Sequence, residues 1–168
     1  IVMVNWIEKK SEIIYGNKAK SGRMDINKDI NLFIADTREK QLKIKSDFQD
    51  LFLQVFQKSL DDIQWEHFYL NCPYGQAVSF AYYHKNIMIA HGGLIPQQLI
   101  SKGGSTVDYF LQTAVMVSKE FQNLALFKNL MDNMDRYTEE CGRFSLAFPN
   151  KNTFMPFVKM LGWNPVRE

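Results

Sequence analysis

Cysteine and histidine are scarce in this chain, and their scarcity closes several routes at once. There are two cysteines, Cys72 and Cys141, and three histidines among 168 residues. Two thiols cannot staple a disulfide-rich secreted module, and with so few histidines they supply no metal-ligand cluster, so no metal is expected. Each cysteine reads as a small apolar residue destined for burial, because neither sits in an electropositive turn that would make it a nucleophile. An excess of one charge is also lacking: 20 basic residues against 18 acidic ones leave a net charge of +2. That balance argues against nucleic acid as the main partner. No apolar run reaches the roughly 18 residues a membrane span needs, and no signal peptide is apparent. A protein without a membrane span, located in the cytoplasm, is the expectation. Internal repeats and low-complexity tracts are missing too.

What is present is material for one core: 46% of the residues are hydrophobic, enough at this length for one globular unit but short for two. Residues 1–41 are broken and polar, with strand-like pieces at 2–7, 13–15 and 32–35 and a Lys-, Asn- and Gly-rich loop at 16–28. From residue 42 the patterning becomes regular. Residues 42–45 alternate as a half-buried strand should. Ser46 with Gln49 then offers a capping box ahead of Phe48, Leu51, Phe52, Val55, Phe56 and Leu60, which recur at helical spacing. A second helical piece follows at 63–70, and the run Asn71, Cys72, Pro73, Tyr74, Gly75 forces a turn. Residues 77–83 and 87–94 read as strands joined by a hairpin at His84, Lys85 and Asn86; Pro96 and Gly103–Gly104 frame a loop. Thr106–Val117 is a long strand. Residues 124–141 form a helix whose Phe127, Leu130, Met131, Met134, Tyr137 and Cys141 share one face, ended by Gly142. A strand at 143–148 and a last helix, capped by Thr153 with Pro156 in its first turn, complete the order. This succession predicts an α/β (α+β) fold with helices on a mixed, largely antiparallel sheet.

The segment with chemical content is residues 115–127, where a long strand passes through a short loop into a helix. The free backbone N–H groups of that helix N-terminus stand at a strand end, a geometry that binds phosphate without any basic side chain.

Here the chain resembles the GNAT acetyltransferase superfamily. The family motif after its fourth strand is Arg/Gln-x-x-Gly-x-Gly/Ala, and Gln122, Ala125 and Phe127 stand at its first, fourth and sixth positions. Phe148, Pro149 and Asn150 resemble the end of the family's fifth strand, and residues 157–163, ending Leu161, Gly162, Trp163, resemble its closing helix. The turn at 71–75 is similar to a loop in a subgroup linked to sugar and polysaccharide modification. The resemblance covers residues 42–163. It departs from the family at Phe127, where a small residue is usual, and at Val158, where many members carry a tyrosine that protonates the leaving thiolate.

The resemblance implies a GNAT acyl-CoA N-acyltransferase fold and a transferase that uses acetyl-CoA as cosubstrate. The acyl group would pass by direct attack to a primary amine, an amino sugar in the subgroup. It implies a coenzyme A site made by Met116, Val117, Ser118, Gln122, Asn123, Leu124, Ala125, Leu126, Phe127 and Asn150, with pantetheine pairing along the fourth strand and an N–H near Val117 facing the oxyanion. The candidates for base or water-chain roles are His91, Asp108, Tyr109 and Gln112. Each of the first three has an ordinary alternative: His91 as a cap at the strand end before Gly92–Gly93, Asp108 as a solvated carboxylate, Tyr109 as core with its hydroxyl at the rim. The two weak motif positions and Val158 also fit a non-catalytic domain that binds coenzyme A or a protein. The family fold continues after its last helix with two strands, and only residues 164–168 follow Trp163. These strands are expected to be missing. The N-terminal extension, residues 1–41, would fill the vacant sheet edge, in cis or from the second copy of a homodimer.

Overall fold

The computed structural model describes residues 2–5 and 29–166, so the expected strand at 13–15 and loop at 16–28 lie outside the described residues. The element order is β1 (Val2–Asn5), β2 (Ile30–Ala35), α1 (Arg38–Phe56), α2 (Asp62–Tyr69), β3 (Val78–His84), β4 (Ile87–Ile100), β5 (Thr106–Val117), α3 (Leu124–Glu140), β6 (Phe144–Ala147), α4 (Lys151–Leu161) and β7 (Asn164–Val166). A single 3-10 turn, Lys119–Phe121, links β5 to α3.

Residues 42–45 are not a strand but part of α1. The helix begins earlier, at Thr37, whose hydroxyl accepts a hydrogen bond from the Lys40 amide at 3.3 Å. Ser46 and Gln49 lie inside it. The spacing that decides the matter is Gln41, Ile44, Phe48, Leu51, the buried face of the helix; four alternating residues are too few to outweigh it. Gln41 is fully buried and clips α1 to the sheet. Its amide donates to the carbonyls of Ala35 at 2.7 Å and Ala77 at 3.0 Å, and its oxygen accepts from the Ser79 hydroxyl at 3.0 Å. Every polar atom of this amide head is thus in use, which is what permits its burial.

The strands form one sheet in the order β2-β3-β4-β5-β6-β1-β7. β5 and β6 run parallel, and the other described pairs are antiparallel. Residues 2–5 lie inside the sheet between β6 and β7, while β2 is its opposite edge. Residues 164–166, expected to be too few to replace the family's closing strands, form the short strand β7.

Several other boundaries differ from expectation for local reasons. Lys85 and Asn86 turn the β3–β4 hairpin with φ of 48° and 65°, the two-residue turn that matches strand twist. β4 does not stop at residue 94: it runs through Pro96 to Ile100. Its pairing with β3 ends at Leu94, so Pro96 has a strand neighbour, β5, on one side alone, a setting in which a strand admits proline. Cys141 is not on the buried face of α3; it is exposed at the helix end. α4 starts at Lys151, with the Phe154 amide bonding the Asn150 carbonyl at 3.0 Å, so position 153 lies inside the helix rather than ahead of it.

Two cores cover the two faces of the sheet. Ile44, Phe48, Leu51, Trp65 and Tyr69 of α1 and α2 pack on Ala81, Met88 and Met116. Leu126, Leu130, Met131 and Met134 of α3, with Phe157 and Trp163, pack on Phe80, Tyr82, Ile89 and Phe110. Glycines let both layers come close: a Cβ on Gly92 would overlap the Met134 sulfur, and one on Gly93 would stand 2.9 Å from the Tyr69 hydroxyl.

A bulge interrupts the β4–β5 ladder. His91 pairs with Met116 and Gly93 with Thr113, so Ala114 and Val115 oppose the single residue Gly92. Ala114 takes a left-handed φ of 46°, a conformation an L-residue adopts at a cost of about 1–2 kcal/mol. The bond between His91 Nδ1 and the Ala114 carbonyl, 3.0 Å, holds it there.

Candidate active site

The sheet opens between its two parallel strands. β6 pairs with Tyr109–Gln112 of β5 and ends at Ala147. β5 continues to Val117, so the side of residues 113–117 that faces β6 has no strand neighbour. The chain leaves β6 through Pro149 and starts α4 at Lys151, which widens the gap.

A cleft fills the gap in two limbs that share Phe56, Val115 and Asn150. The larger limb, about 580 Å³, is walled by Val55, Phe56, Met116, Val117, Gln122, Asn123, Leu124, Phe127 and Pro156. The smaller, about 280 Å³, reaches the apex of the gap past Leu111, Gln112, Thr113, Ala114, Ala147, Phe148, Pro149 and Phe157. The N-terminus of α3 stands at the outer end of the larger limb. Asn123 caps that helix by accepting from the Leu126 amide at 2.7 Å, and the Phe127 amide bonds the Asn123 carbonyl at 3.3 Å. Two first-turn amides, those of Leu124 and Ala125, have no partner among the described residues.

Of the residues implied as a coenzyme A site, Met116, Val117, Gln122, Asn123, Leu124, Phe127 and Asn150 line the larger limb. Ala125 is exposed beside it. Leu126 points into the α3 core, and Ser118 is buried with its amide bonded to the Ile89 carbonyl at 2.8 Å. Phe127 packs at 6.4 Å from the Phe157 ring and still forms part of the cleft wall. Val158 is half-buried against the α3 core.

The four candidate catalytic residues are scattered. Gln112 lines the smaller limb. His91 is fully buried on the other face of the sheet, edge-on to Phe48 at 4.6 Å and Tyr69 at 5.9 Å. It lies mid-strand rather than at a strand end. The carbonyl of Ala114 can only accept, so Nδ1 carries the proton, and burial lowers the His91 pKa to about 4. Asp108 is on the exposed outer part of β5, bonded to Gln98 at 3.0 Å and 3.5 Å from Arg143. Tyr109 stacks on Phe144 at 5.6 Å, and burial raises its pKa. Neither Asp108 nor Tyr109 lines the cleft. No described residue that lines it carries an ionisable side chain. Among the described residues, no group of three His, Cys, Asp or Glu is placed to hold a metal, and no helix is long and apolar enough to cross a membrane.

Sequence reasoning missed the wall contributed by α1. Phe56 borders both limbs and is 38% exposed. The available signal was its place as the last ring of a core stripe, in the final turn of a helix. The Ala114 bulge and the Gln112–Asp135 bond left no local trace.

A sheet that parts between neighbouring parallel strands, with a helix N-terminus at the mouth of the gap, is the arrangement that the GNAT resemblance implies. Comparison bears this out at the level of fold. No family model and no curated protein matches the chain by sequence, whereas solved structures do. A predicted acetyltransferase from Clostridium acetobutylicum, solved with acetyl-CoA, superimposes with a TM-score of 0.63 at 14% identity, covering 83% of this chain and 92% of that one. An aminoglycoside N-acetyltransferase in complex with CoA gives 0.60 at 14% identity, over 83% and 90%. Glucosamine-6-phosphate N-acetyltransferase from Arabidopsis thaliana gives 0.56 at 10% identity, over 82% and 95%. The chain has the GNAT acetyltransferase fold.

Proposed function

We propose that this protein is an acetyl-CoA-dependent N-acetyltransferase that acts on a primary amine, an amino sugar being the favoured class. The observation that carries the reading is the cleft between β5 and β6, which runs from the free amides of Leu124 and Ala125 to the apex at Gln112. Its features suit the cosubstrate part by part. The α3 N-terminus offers N–H groups and a positive dipole end to a pyrophosphate. The unpaired side of residues 113–117 offers backbone donors and acceptors to the amides of a pantetheine arm. The apolar walls formed by Val55, Phe56, Val115 and Leu124 exclude water from it.

In this reading the chain's own contribution is positioning and electrostatics. A backbone N–H on the unpaired side of β5, at the inner end of the cleft rather than near Val117, faces the oxyanion as a C–N bond forms and the C–S bond breaks. Since no described lining residue can take the amine's proton, that proton leaves through water in the smaller limb, with Asn150 at its edge. His91 acts from behind, fixing the bulge through Ala114. Amino sugars are favoured because the fold neighbours include aminoglycoside and glucosamine-6-phosphate N-acetyltransferases.

The departures from the family pattern at Ala125, Phe127 and Val158 favour a second reading, a non-catalytic module that binds coenzyme A. Calorimetric titration of the full chain with acetyl-CoA, followed by thiol-release assays with glucosamine, glucosamine 6-phosphate and kanamycin, separates the two. Binding with thiol release is the expected result. Binding without release supports the module, and absence of binding removes both.

A further inference from the structure

A residue that lines the smaller limb carries a buried polar atom with nothing to bond. Gln112 is 5% exposed and lines that limb. Its Nε2 donates to Asp135 Oδ1 on α3 at 3.0 Å. A carboxylate oxygen only accepts, so this bond fixes which end of the amide meets α3. Oε1 is left as the other end, buried and without a hydrogen-bond partner. Buried carbonyl oxygens are paired as a rule, and an orphan on a residue that lines a cleft marks a place for a donor.

We propose that Gln112, oriented by Asp135, holds the acceptor amine through an N–H···Oε1 bond; the inference rests on the acyltransferase reading above. The chemistry of the ligand follows from the chemistry of the atom. Oε1 can only accept, so its partner must bring an N–H or O–H. An acyl thioester carries neither at its reactive end, whereas the attacking amine carries an N–H. Position agrees. Gln112 is the last residue of β5 paired to β6, opposite Ala147, and so stands at the apex of the gap. The free edge of β5 separates it from the α3 end by five residues, about 16 Å at the usual strand rise. An arm entering at α3 and extending along that edge presents its reactive end at Gln112. The Asp135 carboxylate behind the amide polarises it, which strengthens Oε1 as an acceptor and favours a cationic nitrogen over a neutral hydroxyl. An amide oxygen is too weak a base to take the proton, so Gln112 places the amine and Asp135 is a positioning residue.

The test uses two coenzyme A thioethers that carry their own probe group: the N-methylamide CoA–S–CH2–CO–NH–CH3 and the methyl ester CoA–S–CH2–CO–O–CH3. They differ in whether an N–H occupies the position of the attacking amine. Calorimetry on the full chain should find the amide bound at least tenfold tighter than the ester. Gln112→Leu and Asp135→Asn should bring the two within twofold of each other, while coenzyme A itself binds all three proteins within twofold. Asp135→Asn is nearly isosteric. Its amide can donate to Oε1 and let Gln112 turn its NH2 to the cleft, so a role in packing alone would leave the amide preference intact in this variant. Equal binding of amide and ester by the wild-type protein overturns the proposal, and that comparison needs no variant to fold. A preference that survives in Gln112→Leu overturns it as well. Failure of coenzyme A and both thioethers to bind the wild-type protein refutes the acyltransferase reading itself and takes this proposal with it.

Discussion

Acidification should draw stability out of this fold through His91 before it does so through Asp36 or Asp62. The ring is fully buried, Nδ1–H is bonded to the Ala114 carbonyl, and Nε2 has no partner. Protonating Nε2 would place an uncompensated charge between Phe48 and Tyr69, and burial accordingly lowers the pKa from 6.5 to about 4. The sign follows from linkage. Between those values the unfolded chain binds the proton and the folded chain does not, so stability is complete above pH 6.5 and is lost as the pH falls toward 4. The slope is at most about 1.4 kcal/mol per pH unit, and the whole window is worth roughly 3 kcal/mol. Asp36 and Asp62 also have lowered pKa values, from hydrogen bonds with Lys40 and with Gln49 and Lys45 respectively. Their stabilisation is present above the unfolded value of 3.8 and is lost below it, which keeps it out of the His91 window. The assay is urea unfolding followed by tryptophan fluorescence at pH 7, 6, 5 and 4, for the wild-type protein and for His91→Asn. Asparagine keeps an N–H donor for Ala114 and does not titrate. The variant should be less stable at pH 7 from lost ring packing, with a much flatter dependence below it. Parallel curves for the two proteins between pH 6.5 and 4 would refute the assignment of a neutral, buried ring.

Three further outcomes are expected. Gln41→Leu strands the Ala35 and Ala77 carbonyls and the Ser79 hydroxyl, and should lower unfolding free energy by about 2–4 kcal/mol in the same urea assay. Gly92→Ala pushes a methyl group into Met134 and Leu130 and should cost about 1–3 kcal/mol, part of it recovered when Met134→Ala is added. Leu124 is 63% exposed at the start of α3. Leu124→Asp should leave thermal stability unchanged, since a carboxylate suits a helix N-terminus, but weaken acetyl-CoA about tenfold by facing its pyrophosphate. Unaltered affinity in calorimetry would separate that helix end from the phosphate site.

The parts of the fold legible in the sequence were those fixed by local pattern over a long enough window. Thr106–Val117 was readable to the residue, because a β-branched and aromatic run lies between Gly103–Gly104 and a loop. α3 was readable from its single apolar stripe. Residues 42–45 misled because two periods are indistinguishable over four residues, and the true helix start at Thr37 lay in a stretch that reads as polar and irregular. The site was legible where backbone makes it and illegible where tertiary contact does. The strand-to-helix geometry at 115–127 follows from order alone. That His91 faces α1 and Gln112 faces α3 depends on sheet register and on Gly92, whose missing side chain admits Met134.

The left-handed residue at Ala114 has a consequence for how β5 is written. Upstream, Phe110 and Gln112 point to the α3 layer; downstream, Val115 and Val117 do so, while Met116 joins the α1 layer. The inserted residue is a phase slip: even positions serve one core before it and odd positions after it. Deleting Ala114 would therefore remove the slip together with the residue. Plain alternation would still carry Val115 and Val117 to α3 and Met116 to α1, so both layers would keep their contents while β5 lost its bulge and the carbonyl that bonds His91.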